Sequence, residues 1–143
     1  MGLFAQFDNT IIDYRTDISI EKGRKTKETS FVIQIANAKS DFLTTIELPY
    51  TENDKPQVLQ AEIYDILGNR LKKLKKSDFK TRSMYERDAF FDDSYVLEFD
   101  LKWHRYPYII KYKYREIIDE FIYIANWQPY PYPDVKTSKA SLS

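Results

Sequence analysis

The chain has 143 residues, of which 43% are hydrophobic and 16% aromatic, so it is long enough for one domain with a substantial core. Its 22 basic and 22 acidic residues balance, which argues against a dedicated nucleic-acid binder or an electrostatic membrane-surface module. Cysteine is absent, which excludes disulfides and thiolate zinc sites, and no apolar window of about 18 residues offers a membrane span.

Alternation of apolar and polar residues dominates the first third of the chain and predicts antiparallel strands. One face of the first strand would carry Ile12, Tyr14, Thr16, Ile18 and Ile20. A glycine turn at Lys22–Gly23 leads to a second strand whose inward face would carry Thr29, Phe31, Ile33 and Ile35. A turn over residues 37–41 precedes a strand from Phe42 to Leu48, and we expect Pro49 to end that strand because proline lacks a ladder donor.

The middle of the chain predicts a hairpin followed by a loop. Val58 to Tyr64 alternates, with Leu59, Ala61 and Ile63 on one side. Leu67-Gly68-Asn69 is typical of a hairpin turn and leads into a returning strand from Arg70 to Leu74. Residues 77–93 have no clean period, and we interpret them as a loop with one helical turn at its start.

The second half predicts further strands. Tyr95, Leu97, Phe99 and Leu101 alternate, and the strongest strand follows with Tyr108, Ile110, Tyr112 and Tyr114 on one face. A turn at 116–120, a strand at 121–124 and a polyproline-like exit at 128–134 complete the pattern. The fold class expected is all-β: an antiparallel β-sandwich or partly open barrel of roughly eight short strands. Residues 1–10 would be an extension or an expression remnant, 11–134 the domain, and 135–143 a linker or the truncated start of a following domain.

The chemistry open to the chain is limited, and we expect no catalytic residue, no metal and no cofactor. A Ser-His-acid triad would depend on His104, the only histidine, which we interpret as a surface residue. The three glycines cannot build a phosphate-binding loop. The basic run from Arg70 to Lys76 is interpreted as a strand with Leu71 and Leu74 anchored and its lysines in water. The other reading of that run is a patch for nucleic acid or another anionic polymer.

The aromatic stretch from Trp103 to Asp134 has two readings. Alternate tyrosines on a strand are what a sandwich interior needs, so most of the stretch is expected to be core. The candidate binding residues are the aromatics most suited to exposure, namely Trp103, Tyr106, Tyr130 and Tyr132. With Trp127, the first two could form a platform that stacks on sugar rings, although Trp127 also suits a plug at the end of the sandwich.

Several motifs resemble a known family. They are the Ala61-Glu62-Ile63-Tyr64-Asp65-Ile66-Leu67-Gly68 hairpin, the Tyr106-Pro107-Tyr108 segment and the Trp127-Gln128-Pro129 ending. Together they resemble the uncharacterised N-terminal β domain that precedes transglutaminase-like domains in exported bacterial proteins. The resemblance implies an all-β domain without catalytic residues, a downstream transglutaminase-like domain as partner, and a periplasmic or extracellular location. The chain departs from that pattern because residues 1–10 lack the regions of a signal peptide.

Three functional hypotheses follow. The first is a non-catalytic module of a larger exported transglutaminase-like protein that positions the neighbouring domain or binds a protein partner. The second is a carbohydrate-binding module that uses exposed Trp and Tyr side chains. The third is a small hydrolase built on scattered carboxylates, which no motif supports.

Overall fold

The computed structural model describes residues 10–51, 54–83, 94–118, 136–137 and 139–142. The strands in these ranges are β1 (Thr10–Glu21), β2 (Arg24–Ile35), β3 (Thr45–Thr51), β4 (Gln57–Asp65), β5 (Arg70–Lys73), β6 (Lys80–Ser83), β7 (Ser94–Asp100), β8 (Tyr108–Ile118), β9 (Lys136–Thr137) and β10 (Ala140–Leu142). Two short 3₁₀ turns lie at Ala38–Leu43 and Lys76–Asp78.

The strands form two sheets. The large sheet has the order β10-β1-β2-β8-β4-β5, with β9 also paired to β1, and the small sheet has the order β3-β7-β6. Only β9 and β10 pair in parallel among the described strands, and both do so with β1. The predicted all-β sandwich is therefore confirmed, and the strongest predicted strand, β8, lies inside the large sheet between β2 and β4.

The core lies between the sheets and is built in rows across the large one. In one row, four fully buried isoleucines stand side by side on β1, β2, β8 and β4: Ile11, Ile33, Ile110 and Ile63. In the next row the rings of Tyr14 and Phe31 stack at 4.6 Å and those of Phe31 and Tyr112 at 5.0 Å. Such direct cross-strand pairs are the main source of sheet stability, so these rows fix the register.

Both predicted glycine turns are confirmed, and each needs the conformations that glycine allows. Lys22 and Gly23 have φ values of 50° and 79°, so both central residues of the β1–β2 turn are left-handed, as two-residue hairpins prefer. Gly68, between β4 and β5, has φ 92°. Asp65 holds this second turn, because its carboxylate accepts hydrogen bonds from the backbone N–H groups of Leu67 and Asn69 at 2.9 and 2.8 Å.

The predicted inward face of β4 is wrong at one position. The register of β4 against β8 shifts between Val58 and Gln60, which marks a β-bulge. The extra residue changes the side to which the preceding side chains point. Val58 therefore packs against the core while Leu59 is exposed, whereas Ala61 and Ile63 are buried as predicted.

The predicted limits of β3 are wrong at both ends. Phe42 belongs to the 3₁₀ turn and is exposed, and β3 begins at Thr45. The strand continues through Pro49 to Thr51, paired along its length with β7. Proline is tolerated here because β3 is an edge strand in the described part of the small sheet, where a missing N–H can face away from the partner strand.

Five other segments differ from the sequence-based prediction or lie outside the described ranges. Strand β6 was not predicted because its four residues are polar and exposed, so they leave no alternation to detect. In the segment 135–143, β9 and β10 extend the large sheet, and Tyr14 donates its backbone N–H to the carbonyl of Lys139 at 2.8 Å. The turn predicted at 116–120 is wrong at its start, because β8 continues to Ile118, and residues 119–120 lie outside the described residues. The strand at 121–124 and the exit at 128–134 lie outside the described residues.

Candidate functional site

The sheet topology brings three separate segments to one end of the sandwich, where strands β2, β4 and β8 begin or end. Tyr108, the first residue of β8, pairs with Ile35 at the end of β2 and with Asp65 at the end of β4. The segments that adjoin these strand ends therefore meet: the 3₁₀ turn Ala38–Leu43, the β4–β5 turn at 66–69 and the loop at 101–107. We call these three segments together the loop end.

Polar contacts attach the 101–107 loop to the 3₁₀ turn. The hydroxyl of Tyr106 donates to Asp41 Oδ1 at 2.8 Å, and Lys102 Nζ lies 3.4 Å from Asp41 Oδ2. The hydrogen bond to Asp41 raises the pKa of Tyr106 above its usual value, because the carboxylate favours the protonated phenol. The backbone of Leu101 also donates to the carbonyl of Thr44 at 2.8 Å. Tyr106 is thus oriented by its neighbours although its ring is partly exposed.

Trp103 and His104 form a ridge between two shallow grooves. Trp103 is half-buried and packs against the hydrophobic core, and the His104 ring lies 4.7 Å from the Trp103 ring. One groove, of about 330 Å³, runs between the loop and the β4–β5 hairpin and includes Leu71 and Arg105. The other, of about 440 Å³, lies on the Lys72 side of the ridge. Both grooves are open to solvent along their length, so each would cover only part of a bound molecule's surface.

Below the loop, Tyr108 closes the core. It is fully buried, and its ring lies 5.6 Å from that of Tyr106. Burial raises the pKa of Tyr108 to about 12, so its phenol stays neutral at physiological pH. Tyr108 therefore supports the loop from beneath as a neutral phenol.

Apolar side chains are exposed at the loop end. Leu67, at the tip of the β4–β5 turn, is 84% exposed, Ile66 is 50% exposed, and Leu71 on the adjoining strand is 37% exposed. The sequence predicted Leu71 and Leu74 to be anchored together, but Leu74 alone is buried. The lysines of the basic run face solvent as expected, while Arg70 Nη1 lies 3.2 Å from Glu62 Oε2.

The structure brings together two of the four candidate binding residues, Trp103 and Tyr106. Tyr130 and Tyr132 lie outside the described residues, as does Trp127. Sequence reasoning missed Asp41, which orients Tyr106, and it missed the two aliphatic residues of the β4–β5 turn. The two aliphatic residues could have been noticed in the sequence, because hairpin turns are normally polar and the tip of this turn is Ile66-Leu67.

The described residues offer neither a metal-binding cluster nor a membrane-spanning helix. Within the ranges that the structure covers, no three acidic or histidine side chains gather closely enough to hold a metal ion. Of the helical segments described, none has the length and apolar character needed to cross a membrane.

Comparison with known proteins gives a family and a related fold. No curated protein matches the chain. A crystal structure of "a putative protease from Parabacteroides distasonis ATCC 8503" is similar, with a TM-score of 0.68 and 9% sequence identity. The match covers 77% of this chain and 23% of that one, so the chain spans less than a quarter of the similar protein's length. Residues 21–140 match the family described as "Domain of Unknown Function with solved-structure structure (DUF3857)", and the chain therefore belongs to the DUF3857 family.

Proposed function

We propose that this domain is a non-catalytic module of a larger exported protein, and that its loop end contacts a neighbouring domain or a protein partner. In this proposal the neighbour is a transglutaminase-like domain of the same polypeptide, and the location is periplasmic or extracellular. The transglutaminase setting and the export are supported by the sequence motifs of the β4–β5 hairpin and of Tyr106-Pro107-Tyr108.

The observation that carries the proposal is the apolar surface at the loop end. Ile66 and Leu67 are exposed on the turn, and Leu71 and Trp103 line a groove that extends to Asp65, the residue that precedes the turn. Exposed apolar residues that gather in one place, with polar residues around them, are typical of protein interfaces. The 23% coverage of the similar crystal structure adds support, because there the same fold is one part of a much longer chain.

The non-catalytic part of the proposal is supported by the chemistry of the loop end. His104 packs on the Trp103 ring, and in the described part of the chain it has no carboxylate partner to orient it as a general base. The chain offers no cysteine as an alternative nucleophile. The word protease in the description of the similar crystal structure refers to a chain of which the matching fold covers 23%.

The carbohydrate-binding hypothesis has less support from the same geometry. A sugar-stacking platform needs a flat aromatic face open to solvent, but Trp103 is half-buried against the core and has the tilted ring of His104 4.7 Å away. Tyr106 is held by Asp41. The exposed side chains of the β4–β5 turn are aliphatic, which suits a protein surface better than a sugar ring.

Hydrogen–deuterium exchange on the complete encoded polypeptide and on the 143-residue chain would test the proposal. We expect amides of residues 66–71 and 101–107 to exchange more slowly in the complete polypeptide, because a neighbour covers them, while the β1–β2 turn exchanges equally in both. Ile66→Ser should remove this protection, and Ile20→Ser is its matched control, since Ile20 is 54% exposed in β1. Equal exchange at the loop end in the two proteins would contradict the proposal.

A further inference from the structure

The β4–β5 turn at 66–69 is an apolar projection of the loop end. The turn lies beyond Tyr64 and Arg70, the last residues in the register that pairs β4 with β5. Leu67 at its tip is 84% exposed, more than any other large apolar side chain that the structure describes, and Ile66 beside it is 50% exposed. The tip is therefore a convex apolar surface, unlike the two grooves at the same end of the sandwich.

The backbone donors of this turn are already occupied by Asp65. Asp65 Oδ1 accepts the backbone N–H groups of Leu67 and Asn69 at 2.9 and 2.8 Å. The backbone N–H of Gly68 donates to the carbonyl of Asp65 at 3.2 Å. The hydrogen bond from the Asn69 side chain, together with those from the backbone, holds the pKa of Asp65 below its usual range, so this carboxylate stays charged. An anionic partner group would meet that charge and find the three N–H groups engaged, which leaves recognition to the side chains of Ile66 and Leu67.

We propose that Leu67 inserts into an apolar pocket on the neighbouring domain of the same polypeptide, and that Asp65 is the positioning residue that holds the turn for this insertion. The inference rests on the proposed function, because it names the kind of partner surface that the loop end contacts. A side chain at a convex tip loses most of its exposed area only in a pocket, since a flat surface covers one side of it, and the free energy gained follows the area removed from water.

The turn is preorganised for such an insertion. Gly68 has φ 92°, which glycine adopts at little cost, and the backbone N–H of Asp65 donates to the carbonyl of Asn69 at 2.9 Å. At the base of the turn, Arg70 Nη1 lies 3.2 Å from Oε2 of the buried Glu62. A turn that is already in its bound shape loses little conformational entropy on binding, so more of the free energy of the apolar contact contributes to affinity.

Hydrogen–deuterium exchange of the complete encoded polypeptide tests this anchor away from the mutated turn, at the amides of residues 101–106. Leu67→Ala should make these amides exchange roughly tenfold faster or more, because it removes most of the side chain that the pocket would bury. Leu59→Ala is the matched control, because Leu59 is a 39% exposed leucine near the other end of β4. We expect the control to exchange as the wild type does.

Leu67→Trp distinguishes a pocket from a flat apolar surface. A pocket that fits leucine cannot admit the larger indole without strain, so this variant should raise the exchange of residues 101–106 as Leu67→Ala does. A flat surface would gain contact area from the indole, and exchange as slow as in the wild type would overturn the pocket. In the 143-residue chain, neither Leu67 variant should change the exchange of these residues, because no neighbour covers them there. Faster exchange in both proteins would show a local structural effect and overturn the anchor.

The positioning role of Asp65 has its own test. Asp65→Ala should raise the exchange of residues 101–106 in the complete polypeptide and leave it unchanged in the 143-residue chain. Asp65→Asn retains an oxygen that can accept the two backbone N–H groups, and it should restore part of the protection. A purely structural role of Asp65 would instead change the exchange of both proteins alike.

The outcomes separate this inference from the proposed function. Equal exchange of the loop end in the wild-type polypeptide and the 143-residue chain would contradict the proposed function, and the pocket with it. Protection of residues 101–106 that persists in Leu67→Ala would overturn the anchor alone and leave the docking role in place.

Discussion

Phe99 joins the two sheets, and its removal should be among the most damaging single changes to this domain. The side chain is 2% exposed, and its ring lies 5.2 Å from Phe79 and 6.0 Å from Tyr112, which belongs to the opposite sheet. Phe99→Ala loses about 1.5–3 kcal/mol of burial and about 0.5–1.5 kcal/mol for each aromatic pair. With a residual cavity, the expected loss in the free energy of unfolding is about 3–5 kcal/mol.

Urea denaturation would measure this loss. At a slope of about 2 kcal/mol/M, the midpoint should fall by roughly 2 M, a large part of the stability of an ordinary domain. Phe99→Leu retains most of the volume and should cost about 1–1.5 kcal/mol. Leu67→Ala, at the exposed turn, should stay within about 0.5 kcal/mol of wild type. The account of the core would be refuted if Phe99→Ala and Leu67→Ala shifted the midpoint equally.

Three further changes test individual features. Burial raises the pKa of Glu116, against the effect of Lys27, so the folded state favours the protonated acid and stability falls as the pH rises through the folded value. Glu116→Gln should therefore be more stable than wild type near neutral pH and equally stable below pH 4.5. Urea denaturation of both proteins at the two pH values would measure the difference. Gly68→Ala should lower the free energy of unfolding by about 1–2 kcal/mol, because φ is 92° although no atom lies near the added Cβ; an unchanged midpoint would contradict this. Asp41→Asn should lower the pKa of Tyr106, measured by an NMR titration of the tyrosine resonances. An unchanged pKa of Tyr106 would show that the Asp41 hydrogen bond does not raise it.

Much of the fold could be predicted because its signals are local. In β2 and β8, alternate apolar residues mark the buried face, and the structure keeps that face in register across the sheet. The turns at Gly23 and Gly68 require positive φ, which makes glycine a reliable marker. The prediction was correct where apolar and polar residues alternate without interruption, as they do from Tyr108 to Tyr112.

The errors have physical reasons that the sequence alone does not reveal. The bulge between Val58 and Gln60 is set by the register against β8, so the exposure of Leu59 depends on a distant strand. Pro49 is accommodated because β3 is an edge strand among the strands described, and that position depends on strand order. Strand β6 forms by pairing with β7 although all four of its residues are polar and exposed, so no alternation of apolar and polar residues could mark it.

The loop end has one feature that the sequence alone could not reveal and one anomaly that the sequence shows directly. Asp41, the β4–β5 turn and Tyr106 are far apart in sequence, so only the placement of β8 between β2 and β4 brings them together. Yet the turn carries an anomaly of its own, because Ile66 and Leu67 occupy positions where polar residues are preferred. A residue that violates its local preference without improving the core is expected where another requirement acts on it. Neither side chain joins the hydrophobic core of the described fold, and the partner contact that we propose for the loop end would be such a requirement.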